Sequence, residues 1–152
     1  MDNNLIDIVK LSRLVGCSYN DTIKVVAERN KLNWFEANTL LVLSNNKDII
    51  NAKDVVNFSK VSKAYVSKSI NSLLEKKLIS IEVDDSDKRK QKIIINKSAN
   101  KVIDDLKKSE KRYLENLVNN IDVKEIDEFI KLYKLLGDNI LNRKEDINDK
   151  NI

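Results

Sequence analysis

The sequence predicts a mainly α-helical chain with one small β-hairpin, and three observations carry that reading. Its 152 residues include no Pro and only two Gly, Gly16 and Gly137. Tight turns are therefore scarce, and long helices are the natural use of such a chain. Apolar residues recur at spacings of three, four or seven along most of its length, the period of one helix face. At Ile79-Ser-Ile-Glu-Val83 the period switches to two, the signature of a half-buried strand. Apolar residues make up 41% and charged residues 34%, a balance that builds a globular core rather than a disordered chain.

Taken in order, residues 5–29 read as a helix through Leu5, Ile8, Val15, Tyr19, Ile23 and Val26, with Gly16 costing it stability. Asn33-Trp-Phe-Glu36 is a capping box: Asn33 caps, Glu36 reaches back, and a short helix runs on through Leu40, Leu41 and Leu43. Asn51 caps a second short helix through Val55, Val56 and Phe58. Ser62 stands as the cap of a third, which carries Val66, Ile70, Leu73 and Leu74. The strand 79–83 follows, then a charged turn from Asp84 to Lys92, then a second strand, Ile93-Ile-Ile95, that pairs back on the first. Residues 98–120 form a long helix with Val102, Leu106, Tyr113 and Leu117 on one face. Asp122-Val-Lys-Glu125 is a further capping box, opening a last helix with Ile126, Phe129, Ile130, Tyr133, Leu136 and Ile140 on one stripe. The stretch from Arg143 to Ile152 is mostly polar and reads as frayed. With no internal repeat and no linker, residues 1–152 read as a single domain.

The N-terminus, MDNNLIDIVK, does not read as a signal peptide, and no stretch approaches the roughly 20 apolar residues that span a bilayer. No membrane association is expected. A lone cysteine, Cys17, excludes an internal disulfide and suits a reducing, cytoplasmic setting. Net charge is +4 and the pI about 9.0. Lysine outnumbers arginine 23 to 5, so A/T-rich codon usage accounts for part of the basicity. Its distribution is more informative: from Lys60 to Lys97 there are 10 Lys/Arg against 5 Asp/Glu, and in the rest of the chain 18 against 19.

Three helices, a hairpin, and long helices at both ends make the order of a winged helix-turn-helix in a dimerising frame. Ser62-Lys-Ala-Tyr-Val-Ser67, with Leu73-Leu-Glu-Lys-Lys-Leu-Ile79 after it, resembles the recognition helix of the MarR family and its exit into the wing. Ser86-Asp-Lys-Arg89 followed by Ile93-Ile-Ile-Asn96-Lys-Ser-Ala99 resembles that family's wing. The resemblance covers roughly residues 30–141. It departs at Lys77, where Gly is usual, at Asn96 for Thr, and at Ala99 for Gly. Lys77 is strained if its site needs a positive φ, whereas Asn96 caps a helix as Thr does.

The resemblance implies a winged helix-turn-helix DNA-binding region over 33–97, with dimerisation helices at 5–29 and 98–142. It also implies a transcription regulator, most often a repressor released by a small-molecule effector or a redox signal, acting on double-stranded DNA as a homodimer. The residues support the same end. A helix in the major groove needs small or hydrogen-bonding side chains at its start, and Ser62, Lys63, Ala64, Tyr65, Ser67 and Lys68 supply them. Lys88, Arg89 and Lys90 at the hairpin tip suit a flanking minor groove, where a guanidinium fits well. The family implies that Asp87 orients Arg89. A 23-residue helix, roughly 35 Å long, is more than a three-helix core can cover, so a second copy is expected. Two recognition helices then meet successive major grooves of a pseudo-palindromic site, roughly 34–36 Å apart.

Other readings weigh less. Cys17 lies about two turns past the peroxide-sensing position of some relatives, and an inert thiol is preferred. Asp84-Asp-Ser-Asp87 lacks the Gly and distal Glu of a calcium loop, so no metal and no cofactor are expected. Trp34 and Phe35 read as a hydrophobic anchor before the border of an effector pocket. With no His and no Gly-rich phosphate loop, no enzyme is expected. The alternative function is a winged-helix protein–protein adaptor whose basic face is incidental.

Overall fold

The computed structural model describes the backbone of residues 3–83 and 91–149, with side chains from 6 to 83 and from 91 to 141. Six α-helices and one hairpin are described: α1 (Asn3–Arg29), α2 (Trp34–Asn45), α3 (Ala52–Ser59), α4 (Lys63–Glu75), β1 (Ile79–Val83), β2 (Gln91–Ile95), α5 (Asn100–Leu117) and α6 (Val123–Asp149). A single 3₁₀ turn, Lys97–Ala99, leads into α5. By internal packing the chain divides into two compact units, Met1–Tyr113 and Leu114–Ile152.

In the first unit α2 is the central element. Ala37, Thr39, Leu40, Leu41, Val42 and Leu43 are all buried, which is what a helix apolar on every side requires. Around it pack Ile23, Val26 and Ala27 of α1, Val55 of α3, Val66, Ile70 and Leu73 of α4, and Ile103 and Leu106 of α5. Only the second half of α1 reaches this core; Ile6, Val9, Leu11 and Leu14 in its first half stay exposed. Two hydrogen bonds fasten α1 to α5. Tyr19 donates to Glu110 at 2.6 Å, and Tyr113 donates to the carbonyl of Val15 at 2.9 Å. Burial and then the Glu110 carboxylate push the Tyr19 phenol well above its ordinary pKa, so it remains a donor at neutral pH. Its hydroxyl is directed to Glu110, and the nearby Cys17 is exposed.

The hairpin is antiparallel, with Ile79 opposite Ile95, Ile81 opposite Ile93 and Val83 opposite Gln91. Ile79 and Ile93 enter the core. The chain before α3 adds a third, short rung, because the Ile93 N–H donates to the Ile50 carbonyl at 2.7 Å. This bond ties the wing to the start of the helix-turn-helix.

The helix boundaries largely follow the expected caps. Asn33 accepts from the Glu36 N–H at 3.0 Å while Glu36 accepts from the Asn33 N–H at 2.8 Å. Asn51 and Asp54 make the same reciprocal pair. At α6, Glu125 accepts from the Asp122 N–H, but Asp122 bonds the N–H of Lys124 rather than that of Glu125. Ser62 occupies the cap position of α4 with extended backbone, and its hydroxyl makes no cap bond. Asn96 precedes the 3₁₀ turn without capping it. Its amide instead donates to the Lys77 carbonyl at 3.0 Å and its oxygen accepts from Ser80 at 2.9 Å. The side chain expected to start a helix thus joins the wing to the α4 exit.

Lys77 has φ 56°, as do Lys31 at 56° and Lys60 at 55°. Lys31 and Lys77 each close a Schellman turn: Leu32 N–H reaches back to Ala27, and Leu78 N–H to Leu73. Lysines therefore stand where glycine is the relaxed choice. The C-terminal helices differ from expectation in extent. The helix expected over 98–120 is α5, 18 residues long, because the 3₁₀ turn takes its start and Asn120, at φ 65°, lies in the turn after it. The last helix runs to Asp149; no Gly or Pro interrupts Arg143–Asp149. In the second unit α6 leaves Phe129, Leu132, Tyr133, Leu136 and Ile140 exposed.

Candidate nucleic-acid interface

The face offered by α4 follows from its sequence. Val66, Ser69, Ile70 and Leu73 are buried, at helical spacings of three, four and seven that put them on one side. Ser62, Lys63, Ala64, Tyr65, Ser67 and Lys68 are all exposed. Ser69 satisfies its buried hydroxyl on the Tyr65 carbonyl, 2.9 Å away. The six residues expected at the reading face therefore share a continuous exposed surface at the start of α4. Asp87, Lys88, Arg89 and Lys90 lie outside the described residues, as does the candidate cation turn Asp84-Asp-Ser-Asp87. Among the described residues, no cluster of three metal-ligating side chains occurs.

An ion pair between a buried carboxylate and an exposed lysine holds α4 against α2. Glu36 is 2% exposed, and its carboxylate accepts from Lys76 Nζ at 2.8 and 2.7 Å, from Ser72 Oγ, and from the Asn33 N–H. Lys76 also donates to the Lys31 carbonyl at 3.0 Å. Burial raises the Glu36 pKa, but Lys76, Ser72 and the Asn33 N–H outweigh it and bring it below the ordinary glutamate value. One carboxylate thus completes the α2 cap and anchors the C-terminal end of α4. The capping role was readable from Asn33 and Glu36. The link to residues 36 and 40 positions away carries no local pattern.

Between α4 and the wing lies an open groove of about 940 Å³. Ser67 and Asn71 of α4, Lys53 of α3, and Glu82 and Lys92 of the hairpin line it over a floor that includes Ile70 and Ile93. The structure thus brings Ser67 beside Lys53, Asn71 and Lys92, none of which the sequence reading singled out. Asn71 was within reach of that reading, since it follows Ser67 by four residues on the same helix face. Lys53 and Lys92 line the same groove, where the Ile50–Ile93 rung holds β2 beside the start of α3.

The model of the MarR family matches residues 22–90, which run from the end of α1 through α2, α3 and α4 and past β1, stopping just before β2. Over that stretch the chain is similar to the MarR family. Solved MarR structures share the fold beyond that region. A MarR protein from Peptoclostridium difficile is 25% identical, with TM-score 0.74 over 93% of this chain and 90% of that one. A MarR transcriptional regulator from Methanosarcina mazei is 19% identical, with TM-score 0.75 over 89% and 96%. MepR of S. aureus, solved as a complex with DNA, is 20% identical, with TM-score 0.71 over 86% and 96%. No curated protein sequence matches the chain. Among the described residues, no helix is long and apolar enough to cross a membrane.

Proposed function

We propose that the chain is a sequence-specific, double-stranded DNA-binding transcriptional regulator that acts as a homodimer on a pseudo-palindromic operator. The observation that carries the reading is the two-sidedness of α4: its apolar side, Val66 included, is locked into the core while Ser62, Lys63, Ala64, Tyr65, Ser67 and Lys68 stand exposed beside a β-hairpin. A MarR-family structure of the same fold has been solved on DNA, and the basic excess of this chain falls between Lys60 and Lys97. Lys63 and Lys68 suit phosphates and base edges, and Arg89 suits the flanking minor groove. The exposed apolar faces of α1 and α6 are the surfaces that a second copy covers. In the family's usual mode the regulator is a repressor, and a small ligand or redox signal shifts the spacing of the recognition helices and weakens DNA binding.

Fluorescence anisotropy with the duplex upstream of the protein's own gene, against a scrambled duplex at two salt concentrations, tests the proposal. Tight, sequence-preferring binding that weakens steeply with salt is expected, because neutralised phosphates release counterions. Arg89→Ala is expected to cost about 1–3 kcal/mol on the preferred site while leaving the dimer intact. Unchanged binding by that variant removes the wing from the interface. Equal, weak binding to every duplex tried favours the protein–protein adaptor.

A further inference from the structure

The aromatic ring on the exposed face of α4 is not free-standing. Tyr65 is 52% exposed, yet its ring lies flat against Phe35, with centroids 4.4 Å apart and planes 7° from parallel. Phe35 meets Trp34 edge-on at 5.0 Å and 80°, and Trp34 packs against the core. Three rings therefore run from the core at the start of α2 out to the first turn of α4. Phe35 is itself half-buried and borders a crevice with Ser59, Val61 and Val66 at the turn between α3 and α4.

An exposed tyrosine normally gives up torsional freedom when a ligand immobilises it, and that loss weakens binding. A ring already held by a parallel stack has less to lose. With one face covered by Phe35, Tyr65 offers a ligand its other face, its edge and its hydroxyl in a fixed orientation. We propose that Phe35, which is not one of the exposed α4 residues, is a positioning residue for DNA recognition: it holds the Tyr65 ring in the orientation that meets the duplex. This inference rests on the DNA-binding reading of α4. It concerns sequence preference, since the attraction of lysines to phosphates does not pass through this ring.

The test measures binding of the full-length protein to its preferred and scrambled duplexes for wild type, Phe35→Leu, Phe35→Tyr, Tyr65→Ala and the Phe35→Leu/Tyr65→Ala double variant. Thermal melts confirm that each is folded. Phe35→Leu is expected to lose about three- to tenfold in affinity for the preferred duplex, the scale of one aromatic pair, with the scrambled duplex unaffected. Phe35→Tyr, which keeps the flat ring, is expected to bind as wild type does. In the Tyr65→Ala background Phe35→Leu is expected to add nothing, because the two act as one unit. If Phe35→Leu melts too low to assay, Phe35→Met makes the same comparison. Unchanged specific affinity overturns the inference. An equal loss on both duplexes, or a loss that persists without Tyr65, also overturns it by making Phe35 a packing residue. A wild-type protein that prefers neither duplex overturns the DNA reading itself, a failure seen before any variant is compared.

Discussion

Lys77 shows how far a single residue departs from its relaxed choice for the sake of a turn. Its φ of 56° costs a side-chain-bearing residue about 1–2 kcal/mol. The turn is nonetheless held, because the Lys77 carbonyl accepts from Asn96 at 3.0 Å and from Ser98 at 2.6 Å. Lys77→Gly removes the strain and adds some unfolded-state entropy, so a net gain of about 0.5–1 kcal/mol in urea denaturation is expected. Lys108→Gly, at an exposed site inside α5, should instead lose about 1 kcal/mol; equal effects at both sites refute the strain argument. Glu36 is the opposite case, a residue whose polar atoms are all engaged. Removing its carboxylate by Glu36→Ala leaves Ser72 and the Asn33 N–H without their partner. It is expected to cost about 2–3 kcal/mol, below the fully buried case because Lys76 keeps access to water. The folded-state pKa of Glu36 lies below its unfolded value. Its stabilisation is therefore complete above the ordinary glutamate range and is lost as pH falls through the lower folded value. Wild type should lose more stability than Glu36→Gln on acidification through that window, as parallel denaturation series would show.

At the scale of elements, the sequence was most legible where order is local. The Asn33–Glu36 capping box located the start of α2 and the lone cap Asn51 that of α3, because a cap closes within one helical turn. The change of period from near four to two located β1, because side-chain alternation is a property of the strand itself. Two caps failed in different ways. Ser62 holds the cap position without a cap bond, whereas the Asn96 amide bonds where tertiary structure offers a better partner, at Lys77 and Ser80. The end of α5 was overrun because the turn at Asn120 uses a positive φ without glycine, leaving no glycine to mark the stop. The exposed set on α4 was readable from its buried stripe, whereas Lys53, Lys92 and the Phe35 stack required distant segments to meet. The caps make a graded comparison. Asn33→Ala and Asn51→Ala should each cost about 1 kcal/mol, and Ser62→Ala less than about 0.5 kcal/mol, since its hydroxyl makes no cap bond. A Ser62→Ala loss matching the asparagines in thermal melts shows that its hydroxyl caps α4 in solution.

For the whole molecule the decisive quantity is apolar surface without a partner. The helix expected over 98–120 is shorter than its sequence suggests, since α5 has 18 residues and spans only about 27 Å. The longer element is α6, with 27 residues, or about 40 Å. Along it Phe129 is 62%, Leu132 63% and Ile140 59% exposed, and residues three and four apart form a stripe too continuous for the scattered apolar exposure normal at a surface. The first half of α1 is similar, with Leu14 at 65%. In the proposed homodimer two α6 faces would supply each other's missing cover, and a two-fold pair would also present two α4 helices to one pseudo-palindrome. A charge in the stripe then opposes both functions together. Leu132→Glu is expected to shift equilibrium sedimentation at micromolar concentration from dimer toward monomer, while α2 and α4 keep their packing and the far-ultraviolet helix signal persists. Binding to a two-half-site duplex should fall steeply, and binding to an isolated half-site should change little, because only the linkage between the two reading helices has been lost. A Leu132→Glu protein that stays dimeric with wild-type affinity places the assembly surface elsewhere. A wild-type protein that sediments as a monomer removes the dimer altogether.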